Sequence, residues 1–157
     1  EQFSEMILAK SFPAGIRRVR EHKALGHRTV LITGALDFVV EPFRPLFDDI
    51  VAAELGVVDG AYDGRMTSVP PTGEARYQAL ADHADLHGLD LRESVAYADS
   101  ASDLPMLEAV GFPVAVNPET RLASIARKRG WLVEDFRKSP GMRRSLLPLA
   151  PAGRATR

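Results

Sequence analysis

Three stretches carry residues whose types and spacing could do chemistry. In Leu31-Ile32-Thr33-Gly34-Ala35 a hydroxyl and a glycine follow a short apolar run. A Thr beside a glycine turn can present its Oγ and neighbouring backbone N–H groups to an anion; equally, Thr33 can cap the next helix while Gly34 turns the chain. In Tyr97-Ala98-Asp99-Ser100-Ala101-Ser102-Asp103, Asp99 ends a second apolar run and Asp103 lies four residues on, around the first turn of a helix. Two carboxylates at one strand end repel each other unless a cation lies between them. An oxygen-only donor set with room for water and phosphate suits Mg²⁺. The plainer account makes Asp103 an electrostatic partner of the helix N-terminus and Asp99 a cap; it explains one Asp better than both. Between these stretches, Thr72-Gly73-Glu74-Ala75-Arg76 opens a helix. The Arg76 guanidinium could reach a phosphate held at the strand ends, or lie on a solvated helix face. The histidines, His22, His27, His83 and His87, form no metal constellation. His83 and His87 share a helix face without a His-Glu-x-x-His pattern, so all four are expected at the surface.

The elements that must position these residues are legible in outline. Ser11 and Pro13 start a helix that Gly26 stops. Thr29 to Ile32 reads as a strand buried on both faces. A helix over 37–47 follows, with Pro42 and Pro45 weakening its middle. Residues 50–55 read as a strand, and Val57 to Tyr62 as a hairpin turning at Asp59-Gly60. Further on, the pattern gives a helix over 74–87 ended by Gly88, a strand over 94–98 and a short helix over 103–110. It closes with a strand over 113–116, a helix over 119–129 ended by Gly130, and a short strand over 131–133. Strands alternating with helices at this spacing indicate an α/β domain with a parallel sheet, whose ligands bind beyond the carboxyl ends of its strands.

Composition excludes several classes of function. The 157 residues contain no Cys, which removes disulfide scaffolds, thiolate metal sites and cysteine nucleophiles. No apolar run approaches a membrane span, no secretory signal is expected although the chain begins at Glu1, and a cytoplasmic location is expected. The formal net charge is −1, unevenly spread. Arg137, Lys138, Arg143, Arg144, Arg154 and Arg157 make residues 137–157 a basic tail of +6 that contains Pro and Gly. The other 136 residues then carry −1 − 6 = −7. A globular part that acidic is a poor nucleic-acid binder. The tail reads as an irregular terminus, with contact to an anionic membrane as the less favoured alternative.

Taken together and in order, these motifs resemble the haloacid dehalogenase superfamily, more narrowly its phosphoserine-phosphatase-like subclass IB. The resemblance rests on residues 30–38 (VLITGALDF) and 98–107 (ADSASDLPML), with Ala115-Val116-Asn117-Pro118 in support, and covers about Phe12 to Phe136. It implies a Rossmann-like three-layer α/β core with a mainly parallel sheet. It also implies hydrolysis of a phosphate monoester, a small phosphorylated metabolite, through an aspartyl-phosphate with Mg²⁺. Carried over by position, Thr33 and Gly34 bind phosphate, Arg76 takes the place of a phosphate-binding Lys, Asp99 ligates Mg²⁺ directly, and Asp103 does so directly or through water.

Two departures qualify what the resemblance implies. Arg76 keeps the charge of the usual Lys but carries a larger fork. The family's Asp-x-Asp motif, which holds the nucleophile, is also missing, because no Asp precedes Thr33. The expectation is therefore an incomplete core in this chain: residues 1–11 a remnant of cap or linker, 12–136 the C-terminal part of the core, and 137–157 the tail. In the family the first strand lies between the strands that end here at Thr33 and Asp99. An upstream segment or a complementing chain is thus expected to supply both that strand and the nucleophile, without which this chain neither completes the reaction nor folds stably. Two other readings compete. One is a non-catalytic module of the same fold within a larger, possibly lipid-metabolic, protein; retention of both Asp99 and Asp103 argues against it. The other, dinucleotide binding at Thr33-Gly34, lacks the further glycines a pyrophosphate requires.

Overall fold

The computed structural model describes residues 13–68 and 70–136. The chain divides into two compact units, Glu1–Leu80 and Ala81–Arg157. The basic tail and residues 1–11 lie outside the described residues.

In the first unit, α1 (Pro13–Ala24) begins at the proline the sequence pointed to and is followed by Gly26 in the left-handed region, φ +78°. β1 (Val30–Leu36) runs four residues past its expected end. It pairs in parallel with β2 (Asp49–Ala53), but irregularly: Ile32 lies opposite Val51 and Leu36 opposite Ala53. Four steps along β1 thus match two along β2, and Thr33, Gly34 and Ala35 bulge from the ladder. A bulge of this kind re-aims side chains at a strand end. The helix expected over 37–47 is cut short. α2 covers only Asp37–Val40 and passes into a 3-10 turn over Glu41–Leu46. The missing N–H groups of Pro42 and Pro45 prevent a continuous α-helical ladder.

The strand expected over 50–55 is also divided. β2 ends at Ala53 and β3 (Leu55–Val58) starts an antiparallel hairpin with β4 (Ala61–Met66). Asp59 and Gly60 both have positive φ, +51° and +78°, as a two-residue type I′ turn demands. At the start of β1, the Thr29 N–H and hydroxyl donate to the Asp48 carboxylate at 2.7 and 3.0 Å, and Lys23 pairs with it at 3.2 Å. The backbone bond from Thr29, with help from its hydroxyl and from Lys23, holds the Asp48 carboxyl below the usual carboxylate range.

The division between the units falls within α3 (Glu74–His87), which Gly88 follows at φ +63°. In the second unit β5 (Val95–Ala98), β6 (Phe112–Val116) and β7 (Leu132–Glu134) form a parallel sheet in the order β5-β6-β7. Ala98 lies opposite Ala115 where the β5–β6 ladder ends. α4 (Leu104–Ala109) and α5 (Thr120–Arg129) bury Leu107, Leu122 and Ala126 with Val114 and Ala115 of β6. Removing side chains of this kind from water is the main stabilising term of such a unit, each larger one contributing about 1.5–3 kcal/mol. α5 ends at Gly130 (φ +68°), and the Trp131 N–H returns to the Ala126 carbonyl at 2.9 Å, a Schellman-type closure.

Among the described residues, β1 is laddered along one edge, to β2, and β5 along one edge, to β6. No described helix is long and apolar enough to cross a membrane. One expectation needs correction: His22 and His83 are buried, not at the surface. His22 lies on the inner side of α1 with its Nδ1 2.9 Å from that of His27, and the His83 ring packs 4.4 Å from that of His87. One helical turn of separation allows a pair to share a buried face as readily as an exposed one.

Candidate functional site

Thr33, Gly34 and Arg76 belong to the first unit, Asp99 and Asp103 to the second. In the β1 bulge the Thr33 Oγ accepts the Ala35 N–H at 3.1 Å. This local bond lies inside β1 and is not the helix cap weighed against anion binding, since α2 starts at Asp37 and its N-cap residue, Leu36, makes no side-chain cap. The bond and anion binding are compatible, because a hydroxyl that accepts one bond still carries a hydrogen to donate.

Gly34 approaches the loop before α3. A Cβ placed there would lie 3.1 Å from Thr72 Cγ2 and 3.8 Å from the Pro71 carbonyl oxygen, so a larger residue would press on that loop. The same Pro71 carbonyl accepts the Arg76 Nε–H at 3.1 Å. Gly73, at φ +52°, turns the chain into α3, and the Ala75 and Arg76 amides return to Thr72 and Gly73. The fold therefore brings the Thr33-Gly34 bulge and the base of Arg76 to the same short loop. Arg76 is half-buried, with one face of its guanidinium committed to that loop. A hydroxyl, a backbone without a Cβ and a tethered cation together offer donors and charge to a tetrahedral anion. Pro71 was not singled out from sequence, and Thr72 only as the first residue of the stretch that opens a helix. The Pro-Pro-Thr-Gly run reads as a loop, and only its packing against Gly34 reveals its part.

In the second unit Asp99 directly follows β5 and is exposed, whereas Asp103 closes a 3-10 turn over Ala101–Asp103 and is 1% exposed. The turn is built from within. Ser100 caps it by accepting the Ser102 N–H at 3.3 Å, the Ser102 hydroxyl lies 3.1 Å from that of Ser100, and the Asp103 N–H returns to the Ser100 carbonyl at 3.1 Å. Pro105 then starts α4 where no N–H is needed. Asp103 occupies the N-cap position of α4 but makes no side-chain cap there.

The next loop reaches back to this turn. The Glu119 N–H donates to the Asp99 carbonyl at 2.9 Å, and the Ala101 N–H donates to Glu119 Oε1 at 2.7 Å. Asn117, at φ +42°, accepts the Phe136 N–H on its Oδ1 at 2.9 Å. Sequence reasoning used Asn117-Pro118 as support and Glu119 only as a helix start. The available signal was an acidic residue directly after a strand-end turn. Tested as a cation site, the Asp99–Asp103 turn provides carboxylate and hydroxyl oxygens without sulfur or imidazole, one carboxylate buried and one open to solvent. Such a donor set fits a small hard cation that keeps several waters.

Comparison with known proteins identifies the family. Residues 1–108 match the family model of haloacid dehalogenase-like hydrolases. A phosphoserine phosphatase of Mycobacterium tuberculosis is 39% identical over 110 residues, covering 70% of this chain and 31% of that protein. A histidinol-phosphatase of Neisseria meningitidis is 31% identical over 143 residues, covering 87% of this chain and 64% of its own length. The chain thus spans less than two thirds of either relative. Among solved structures, a Bordetella pertussis protein of unknown function superposes with a TM-score of 0.74 at 31% identity, over 85% of this chain and 64% of that one. With the fold and the motif order in agreement, the chain belongs to the haloacid dehalogenase-like hydrolase family and is phosphoserine-phosphatase-like within it.

Proposed function

We propose that this chain carries the phosphate-binding and metal-binding parts of a Mg²⁺-dependent phosphate-monoester hydrolase acting through an aspartyl-phosphate, with the nucleophilic Asp outside the chain. The observation that carries the reading is the convergence of the Thr33-Gly34 bulge and the base of Arg76 on the Pro71-Thr72 loop. The phosphatase names of the relatives support a small phosphorylated metabolite as substrate.

In this reading the Thr33 hydroxyl donates to a non-bridging phosphate oxygen while its lone pair keeps the Ala35 amide, which fixes the hydroxyl's direction. Gly34 lets the backbone approach the same oxygens without steric cost. Arg76, tethered through Nε, directs its terminal nitrogens to the phosphate and offsets charge that grows as the ester oxygen departs. Asp99 and Asp103 would hold Mg²⁺, whose chemistry when bound is to neutralise the phosphate oxygens. Burial of Asp103 fixes one donor, and exposure of Asp99 leaves the other open to substrate and water.

The test is the initial rate of phosphate release from an aryl phosphate by the full-length protein, with Mg²⁺ and with Mg²⁺ removed by EDTA. Hydrolysis that requires Mg²⁺ and is restored by adding it back is expected. No hydrolysis of any phosphate monoester in the presence of Mg²⁺ contradicts the reading and favours a non-catalytic module.

A further inference from the structure

We propose that Glu119 is a positioning residue that sets the Asp99–Asp103 turn from the neighbouring strand, an inference that rests on the metal role proposed for those carboxylates. Glu119 occupies the N-cap position of α5 but makes no side-chain cap of its own helix. Ser, Thr, Asp and Asn suit that position because their short side chains fold back onto the first turn. The longer Glu side chain instead crosses to the loop after β5, where Oε1 accepts the Ala101 N–H at 2.7 Å and lies 3.4 Å from the Ser100 hydroxyl.

The backbone of the same residue makes the complementary bond. The β5–β6 ladder ends at Ala98 and Ala115, and the Glu119 N–H then donates to the Asp99 carbonyl at 2.9 Å. One residue thus holds the peptide segment on both sides of Ser100, at the Asp99 carbonyl and at the Ala101 amide. From the fixed Ala101 the turn runs on through the Ser100–Ser102 cap and the Asp103 N–H bond to Ser100. Glu119 is itself exposed, so it adds little apolar burial, and the bond that its Oε1 accepts from the Ala101 N–H is its main contribution. Hydrogen-bond partners that orient the donors around a metal act in this way on affinity without touching the ion.

The experiment titrates Mn²⁺, as a spectroscopic stand-in for Mg²⁺, into metal-free full-length protein and its Glu119→Gln, Glu119→Ala and Asp99→Asn variants. Free Mn²⁺ is read by electron paramagnetic resonance, and the melting temperature of each metal-free form is recorded alongside. Gln keeps the acceptor oxygen and loses the charge, so Glu119→Gln is expected within about threefold of wild type, whereas Glu119→Ala weakens Mn²⁺ binding by about 10- to 100-fold. Amide exchange at Ala101 should quicken in the Ala variant and stay slow in the Gln variant. Equal losses in both Glu119 variants would make the charge itself, as a ligand, the important property and would overturn the positioning role. Unchanged Mn²⁺ affinity in Glu119→Ala, with or without a lower melting temperature, would also overturn it. If Asp99→Asn binds Mn²⁺ as tightly as wild type, the metal assignment fails, and the Glu119 inference with it. Loss in Asp99→Asn without loss in Glu119→Ala removes the inference alone.

Discussion

The Thr33 hydroxyl serves two partners in the proposed site, accepting from Ala35 and donating to phosphate. Replacing it with Val keeps the shape and removes both bonds. Thr33→Val should therefore lower turnover by about 10²–10³, the usual loss on removing one aligned donor, while the melting temperature moves little because the bulge is half-exposed. Phosphate release and a thermal melt on the same preparation check this. At Arg76, Lys preserves the charge but cannot make the Nε bond to Pro71 while also offering a fork. Arg76→Lys is expected to stay within about tenfold of wild type or exceed it, and Arg76→Met to fall by about 10² or more. A Met variant with full activity would leave Arg76 as a loop tether only. These residue types were visible in sequence because hydroxyl, glycine, guanidinium and paired carboxylates each have few chemical uses. The Pro71-Thr72 contact with Gly34 was not visible, since close backbone approach leaves no mark on the type of the residue approached.

Individual elements followed local rules where nothing competed with them. The Asp59-Gly60 turn, the Gly88 and Gly130 helix stops and the β5 and β6 strands lie where turn chemistry and apolar runs placed them. β1 departed from its expected end because Thr33-Gly34-Ala35 remain extended as a bulge, a tertiary choice that no apolar pattern encodes. The 37–47 helix failed at its prolines, as their chemistry warned. Two expectations belong to this scale. Gly111 sits so close to the 3-10 turn over Leu91–Glu93 that a Cβ would overlap the Arg92 carbonyl. Gly111→Ala should destabilise by about 3 kcal/mol or more in urea melts, since backbone rather than a mobile side chain must yield.

Asp48 links Thr29 at the start of β1 to Lys23 on α1. Its folded pKa is depressed, so the stability it contributes is present above the unfolded carboxylate pKa and is lost as pH falls through the lower folded value. Asp48→Asn should thus cost on the order of 1 kcal/mol at pH 7, after allowance for its partial exposure. The difference from wild type should shrink with acidification through the carboxylate range; a difference independent of pH would assign the effect to shape rather than charge.

For the molecule as a whole, the order of motifs mattered more than any one of them. Thr-Gly after one strand, Arg at the start of a helix and Asp-x-x-x-Asp after a later strand are each ambiguous alone, and together they identified a family that the family match bears out. Composition was informative chiefly by exclusion, since absence of Cys and a net charge of −1 restrict chemistry without naming any. The chain also spans only part of the length of its relatives, so the account is best tested in the full-length protein. The most direct measurement compares phosphate release by wild type and Asp99→Asn at saturating Mg²⁺, with circular dichroism to verify folding. Loss of about 10²-fold or more in a folded variant is predicted, at least the effect of disturbing a metal's outer partners. Wild-type turnover in Asp99→Asn would contradict the assignment of this turn to the metal and, with it, the proposed mechanism.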